Sequence, residues 1–242
     1  MTNVTAGADL ATRSASFAFE VQDTLQRVLP GTVNVVSVTT PNSNRYWVRP
    51  DDAPRKNRIP LFVDGDHLAD LTVEMFLSMD RHGHHLKTVL SKMAVHSTLD
   101  RQPLLRLEFD AAMHTAPIVH WHVHAERGAF SHLLARSHAV RPGQVTSPHQ
   151  LSSLHLPVGG ERFRPCLEDL LQFLIEECGI DSNGDWAAAI AEGRERWRRR
   201  QVRTVARDAP AEVADVLRGL GWTVEAPVDG GESENIRTLT AW

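Results

Sequence analysis

The sequence predicts an α+β protein: an antiparallel β-meander of about four to six strands, with an N-terminal helix and a C-terminal helical region packed on one face. Three observations carry this. A helix-period stretch opens the chain, a series of two-residue alternations with short connections follows, and helix-period segments close it.

In chain order, Ser14 or Ser16 is placed to cap a helix running to about Leu29. Phe17, Val21, Leu25 and Val28 form its stripe, and Pro30-Gly31 stops it. Val33 to Thr39 is rich in β-branched residues and reads as a strand. Residues 41 to 60 hold Pro, Asn and Asp around a short strand at Tyr46 to Val48, which predicts a long exposed connection. From Leu71 to Met79, apolar Leu71, Val73, Met75, Leu77 and Met79 alternate with Thr72, Glu74, Phe76 and Ser78. A turn at Asp80 to His85 leads to a partner strand at Leu86 to His96, with Val89, Met93 and Val95 inward. The next strand, Leu104 to Asp110, turns Leu105, Leu107 and Phe109 inward and Arg106, Glu108 and Asp110 outward. The last of the series, Ile118 to Ala125, turns Val119, Trp121 and Val123 inward and His120, His122 and His124 outward.

Beyond the meander, Phe130 to Ala135 predicts a short helix, residues 141 to 153 are turn-rich, and Leu154 to Val158 reads as a strand. Pro165 sits at the first position of a helix reaching Cys178, with Leu167, Leu170, Leu171, Leu174 and Ile175 apolar and Gly179 as its stop. A long helix spans about Asp185 to Arg207, another Pro210 to Leu220, and a short strand Trp222 to Glu225. The expected organisation is a sheet domain over 14–160, a helical region over 161–226 packed on it, and flexible termini at 1–13 and 227–242.

Composition narrows the class. Of 242 residues, 42% are hydrophobic and 23% charged, with a net charge of −4, which excludes disordered and fibrous chains. No apolar run approaches the ~18–20 residues of a membrane span, so no membrane partner is expected. The opening MTNVTAGADLATRS lacks a basic start followed by an apolar stretch, so a cytoplasmic location is expected. Cys166 and Cys178, twelve residues apart on one helical segment, would lie about 18 Å apart and cannot bridge. Lys56, Lys87 and Lys92 are the only lysines among 26 basic residues, an arginine bias that suggests a GC-rich bacterial source.

The most informative stretch is His120-Trp121-His122-Val123-His124. Alternation places the three imidazoles in one row, about 6.6–6.8 Å per step, so two neighbours can converge on one ion. If the third and fourth strands of the meander pair, Glu108 and Asp110 stand beside that row. These are the ligand types of one divalent transition metal, Zn, Mn, Fe or Ni, with His120, His122, His124 and Glu108 as candidate ligands. They equally suit metal-free histidine catalysis, in which His120, His122, His124, Glu108 and Asp110 would be catalytic.

The run His120-Trp121-His122-Val123-His124-Ala125-Glu126 resembles the His-φ-His-φ-His-φ-φ motif of the histidine-triad nucleotide hydrolases and transferases. The resemblance implies His122 as a nucleophile towards a phosphoryl group and His124 as a phosphate contact. It covers seven residues, and Glu126 stands where the motif has an apolar residue.

Two basic features complete the inventory. Gly159 and Gly160 precede Arg162, Arg164 and a helix start, a combination suited to an anion near the histidines. Asp181 to Arg207 carries seven arginines, Arg196, Arg199, Arg200 and Arg203 among them, against four acids. Such a stripe can contact nucleic-acid phosphates. The leading expectation is a hydrolase or phosphotransferase acting on a small-molecule or phosphate-bearing substrate. The alternative is a non-enzymatic bacterial regulator, toxin–antitoxin or defence component that binds protein, RNA or DNA.

Overall fold

A computed structural model describes residues 3–40, 43–52, 57–80, 82–113, 118–123, 128–141 and 164–240. Helix α1 (Asn3–Val28) opens the chain. Strands β1 (Val35–Thr39), β2 (Tyr46–Pro50), β3 (Ile59–Val63), β4 (Asp66–Met79), β5 (Leu86–Ser97), β6 (Pro103–Asp110) and β7 (Val119–Val123) follow. Helices α2 (Gly128–Val140), α3 (Leu167–Glu176), α4 (Trp186–Asp208), α5 (Pro210–Gly219) and α6 (Ile236–Thr240) complete it. The fold is α+β, and its sheet has seven strands among the described residues, above the expected four to six.

All pairings are antiparallel, in the order β1-β2-β4-β5-β6-β7, with β3 sharing the β2 edge of β4. The strand period explains why β4 to β7 hold together. Leu71, Val73, Met93, Val95, Leu105 and Leu107 all point to one side and are at most 2% exposed. Ala18, Val21, Leu25 and Val28 of α1 meet that side at helical spacing, as do Leu170, Leu171 and Leu174 of α3 and Ile190 of α4.

Several elements differ from expectation. Helix α1 starts at Asn3 rather than at Ser14 or Ser16, and buried Leu10, seven residues before Phe17, extends the buried stripe by about two turns. Strand β3 begins at Ile59 and Pro60, the end of the expected connection, and continues over Leu61–Val63, where no element was expected; it brings Asp66–Asp70 into β4. Asp64 and Gly65, with φ of 53° and 78°, form the tight turn between them, a left-handed geometry that glycine adopts without strain. Asp181 accepts hydrogen bonds from both of their backbone amides. Val89, expected inward, lies at a register shift between β4 and β5. No strand forms at Trp222–Glu225, and the C-terminal segment folds into α6, where the Asn235 backbone N–H donates to the Asp208 carbonyl. The expected strand at Leu154–Val158 lies outside the described residues.

Arginine pairs fix the helices to one another. Arg27 reaches Asp185 (2.8 Å) and Glu192 (2.6 Å), joining α1 to α4. Arg194 holds Asp169 at 2.9 Å, joining α4 to α3. Gly193 lets these two helices approach, since a Cβ there would stand 2.3 Å from the Glu168 carboxylate. Cys166 and Cys178 are buried and reduced, and burial pushes both thiols well above the usual range. No helix among the described residues is long and apolar enough to cross a membrane.

Candidate metal centre

The β6–β7 register builds the site. Glu108 is paired with His120, and Arg106 with His122, all on the sheet face opposite the helices. Their neighbours Leu107, Phe109 and Trp121 face the helical side, so the parity of each strand is fixed by apolar burial. Lys92 of β5 lies across from Glu108, and Glu74 of β4 across from Lys92. The outer face thus carries a row of alternating charge that ends at His120.

Glu108, His120 and His122 converge. One ligand atom from each can be chosen so that all lie within 4.8 Å of one another, a group that could hold a metal ion. Glu108 Oε2 stands 3.5 Å from His120 Nε2 and 3.9 Å from His122 Nε2. The two imidazoles meet edge to face at 4.8 Å. Ligand atoms around a tetrahedral ion held at 2.0–2.1 Å are about 3.4 Å apart, so the spacing fits such an ion after small side-chain rotations. The second carboxylate oxygen, Oε1, faces Arg106 Nη1 at 3.3 Å, which aims Oε2 at the histidines. Exposure is uneven: the side chains of His120 and Glu108 are 11% and 14% exposed, that of His122 41%. The open approach is therefore on the His122 side.

The other predicted residues are placed as follows. Asp110 shares the outer face, but its carboxylate accepts the Ala112 backbone N–H at 2.8 Å and braces the turn after β6. His124, Gly159, Gly160 and Arg162 lie outside the described residues. Arg164 does not stand beside the histidines. Its guanidinium lies against Phe109, on the helical side of the sheet. On α4, Arg200 pairs with Glu20 and Arg199 with Glu195, Arg196 lines a small cavity with Glu168, and Arg203 is exposed. The residue missed by sequence reasoning is Arg106. It stood in the same outward alternation as Glu108, and only the pairing reveals that it orients that carboxylate.

Comparison with protein-family models, with curated proteins and with solved structures gave no match to this chain.

Proposed function

We propose that the protein is a metal-dependent hydrolase with one divalent transition metal, zinc being the best fit, on Glu108, His120 and His122. The observation that supports this most is the convergence of two imidazoles and one carboxylate from register-paired strands. Two histidines and one acid leave a fourth position for water or substrate, the pattern of catalytic zinc sites rather than closed structural ones. Bound there, the metal would supply a water acidified towards neutral pH and a Lewis acid for a carbonyl or phosphoryl oxygen. Glu108 and His120 would anchor it from the less exposed side, and substrate would approach past His122. Arg106 would hold Glu108 in its binding orientation and leave a cationic edge for an anionic substrate group.

Elemental mass spectrometry of untagged protein tests the reading, with wild type, His122→Ala and Glu108→Gln compared. Near-stoichiometric metal in wild type, reduced in both variants and accompanied by metal-dependent cleavage of p-nitrophenyl esters or phosphates, is the expected result. A wild type that takes up no added zinc, manganese, iron or nickel overturns it.

A second reading is favoured by a different observation. Trp47 and Phe76 stack at 5.7 Å on the outer face, with Leu90 paired to Phe76 and then to Asp110, so an apolar patch adjoins the charged row. A protein partner laid across this face would use the patch and the metal centre together, without chemistry. Metal uptake without cleavage of any such ester favours it.

A further inference from the structure

We infer that Arg164 and Trp197 form a second ligand site, for a small oxyanion, on the helical side of the sheet between β6 and α4. It does not depend on the metal centre. Phe109 and Glu108 are chain neighbours on a strand, so their side chains leave the sheet in opposite directions.

The Arg164 guanidinium packs 4.2 Å from the centre of the Phe109 ring and 4.6 Å from that of Trp197. Its hydrogen bond among the described residues is a single one, from Nη1 to Gln201 Oε1 at 3.3 Å. No described carboxylate pairs with it. The contrast with other arginines is sharp: Arg194 has Asp169, Arg200 has Glu20, and Arg27 has three acids. Withdrawing a guanidinium from water without a counter-charge is unfavourable. Here burial lowers the Arg164 pKa to about 10, still high enough to keep it charged at neutral pH. The rings contact the guanidinium as cation–π partners, and its N–H fork lies in the guanidinium plane, where Nε and Nη2 remain to be matched.

A second observation points the same way. The indole N–H of Trp197 is buried and has no acceptor among the described residues, and neither has that of Trp121. Buried indole N–H groups ordinarily find a partner. Trp121 pairs with Leu107 and Val119 with Phe109, so Trp121 occupies the diagonal position from Phe109 on the same side of the sheet. Beside β6 the helical side therefore holds a guanidinium with one neutral acceptor, Gln201 Oε1, and against it an indole ring, that of Trp197, whose N–H has none among the described residues. The group that satisfies such a set is acceptor-only and negatively charged. Phosphate and carboxylate share that chemistry, and both match the fork of an arginine.

The test uses the full chain, titrated in parallel with inorganic phosphate and with acetate, ionic strength being held constant with chloride. Tryptophan fluorescence and Tm are followed. The expected result is a saturable rise in Tm with a fluorescence change in at least one titration. Trp197→Phe keeps the ring and removes only the N–H, so it should weaken binding about tenfold. Arg164→Met should abolish it. A response to phosphate alone assigns a phosphate group, and a response to acetate alone assigns a carboxylate. Absence of both responses in wild type overturns the inference. So does a Trp197→Phe protein that binds as wild type does, which keeps the test decisive even if Arg164→Met fails to fold.

Discussion

On the helical side of the sheet, Leu71, Val73, Met93, Val95, Leu105 and Leu107 are shielded from water, whereas their chain neighbours Thr72, Glu74, Lys92, Arg106 and Glu108 stay half-buried or exposed on the other side. Both sets come from the same strands. The period of two separates them, so a residue's parity decides whether it serves stability or chemistry. Substitutions should therefore divide cleanly. Leu71→Ala removes a fully buried side chain from β4 and should cost about 2–5 kcal/mol, measured by urea unfolding. Thr72→Ala, one residue on, removes a half-buried hydroxyl that donates to the Ala94 carbonyl at 3.4 Å and should cost no more than about 1 kcal/mol. Comparable losses at both positions would break the distinction between the faces.

Glu168 sharpens the comparison, because it is an acid on the apolar side. Its carboxyl is buried beside α4, where Gly193 leaves room for it. Burial raises its pKa above the ordinary 4.5. The folded state thus holds this proton to higher pH than the unfolded chain does. Where the unfolded chain has released it and the folded state has not, stability falls as pH rises. Wild type should lose stability from pH about 4.5 upward more steeply than Glu168→Gln, which cannot ionise. Parallel stability–pH profiles for the two proteins would show that the buried acid is fully compensated by its surroundings.

The same parity governs what can be read from sequence. Strands β4 to β7 were legible because each alternates over at least five residues, and His120, His122 and Glu108 became neighbours once the hairpin was assumed. Strand β3 was not: it is five residues long and contains Pro60, and its signal, Asp64-Gly65, is a turn rather than a period. The first turns of α1 were hidden by Thr5 and Gly7, weak helix formers whose placement depends on the tertiary burial of Leu10. Asp110 had the right parity, yet its carboxylate is taken by a backbone amide that no periodicity announces. Arg164 was expected near the histidines from its place before a helix. The inward parity of Phe109, on which it packs, puts it across the sheet instead.

Arg106 gives the most selective probe of the outer face, because two effects of opposite sign meet there. Its guanidinium pairs through Nη1 with Glu108 Oε1 at 3.3 Å and so presents Oε2 to the histidines, which favours a metal. Its positive charge stands close to the proposed ion, which disfavours one. Arg106→Leu removes both effects, while Arg106→Gln keeps a donor and removes the charge. If orientation dominates, Arg106→Leu should weaken zinc binding about 10–100-fold in a competition titration. Arg106→Gln should then bind about as well as wild type. Neither substitution should change unfolding stability by more than about 1 kcal/mol, since the Arg106 side chain is 36% exposed and the pair is partly solvated. Tighter zinc binding by Arg106→Leu would mean that repulsion dominates, and that Glu108 reaches the metal without help from its neighbour.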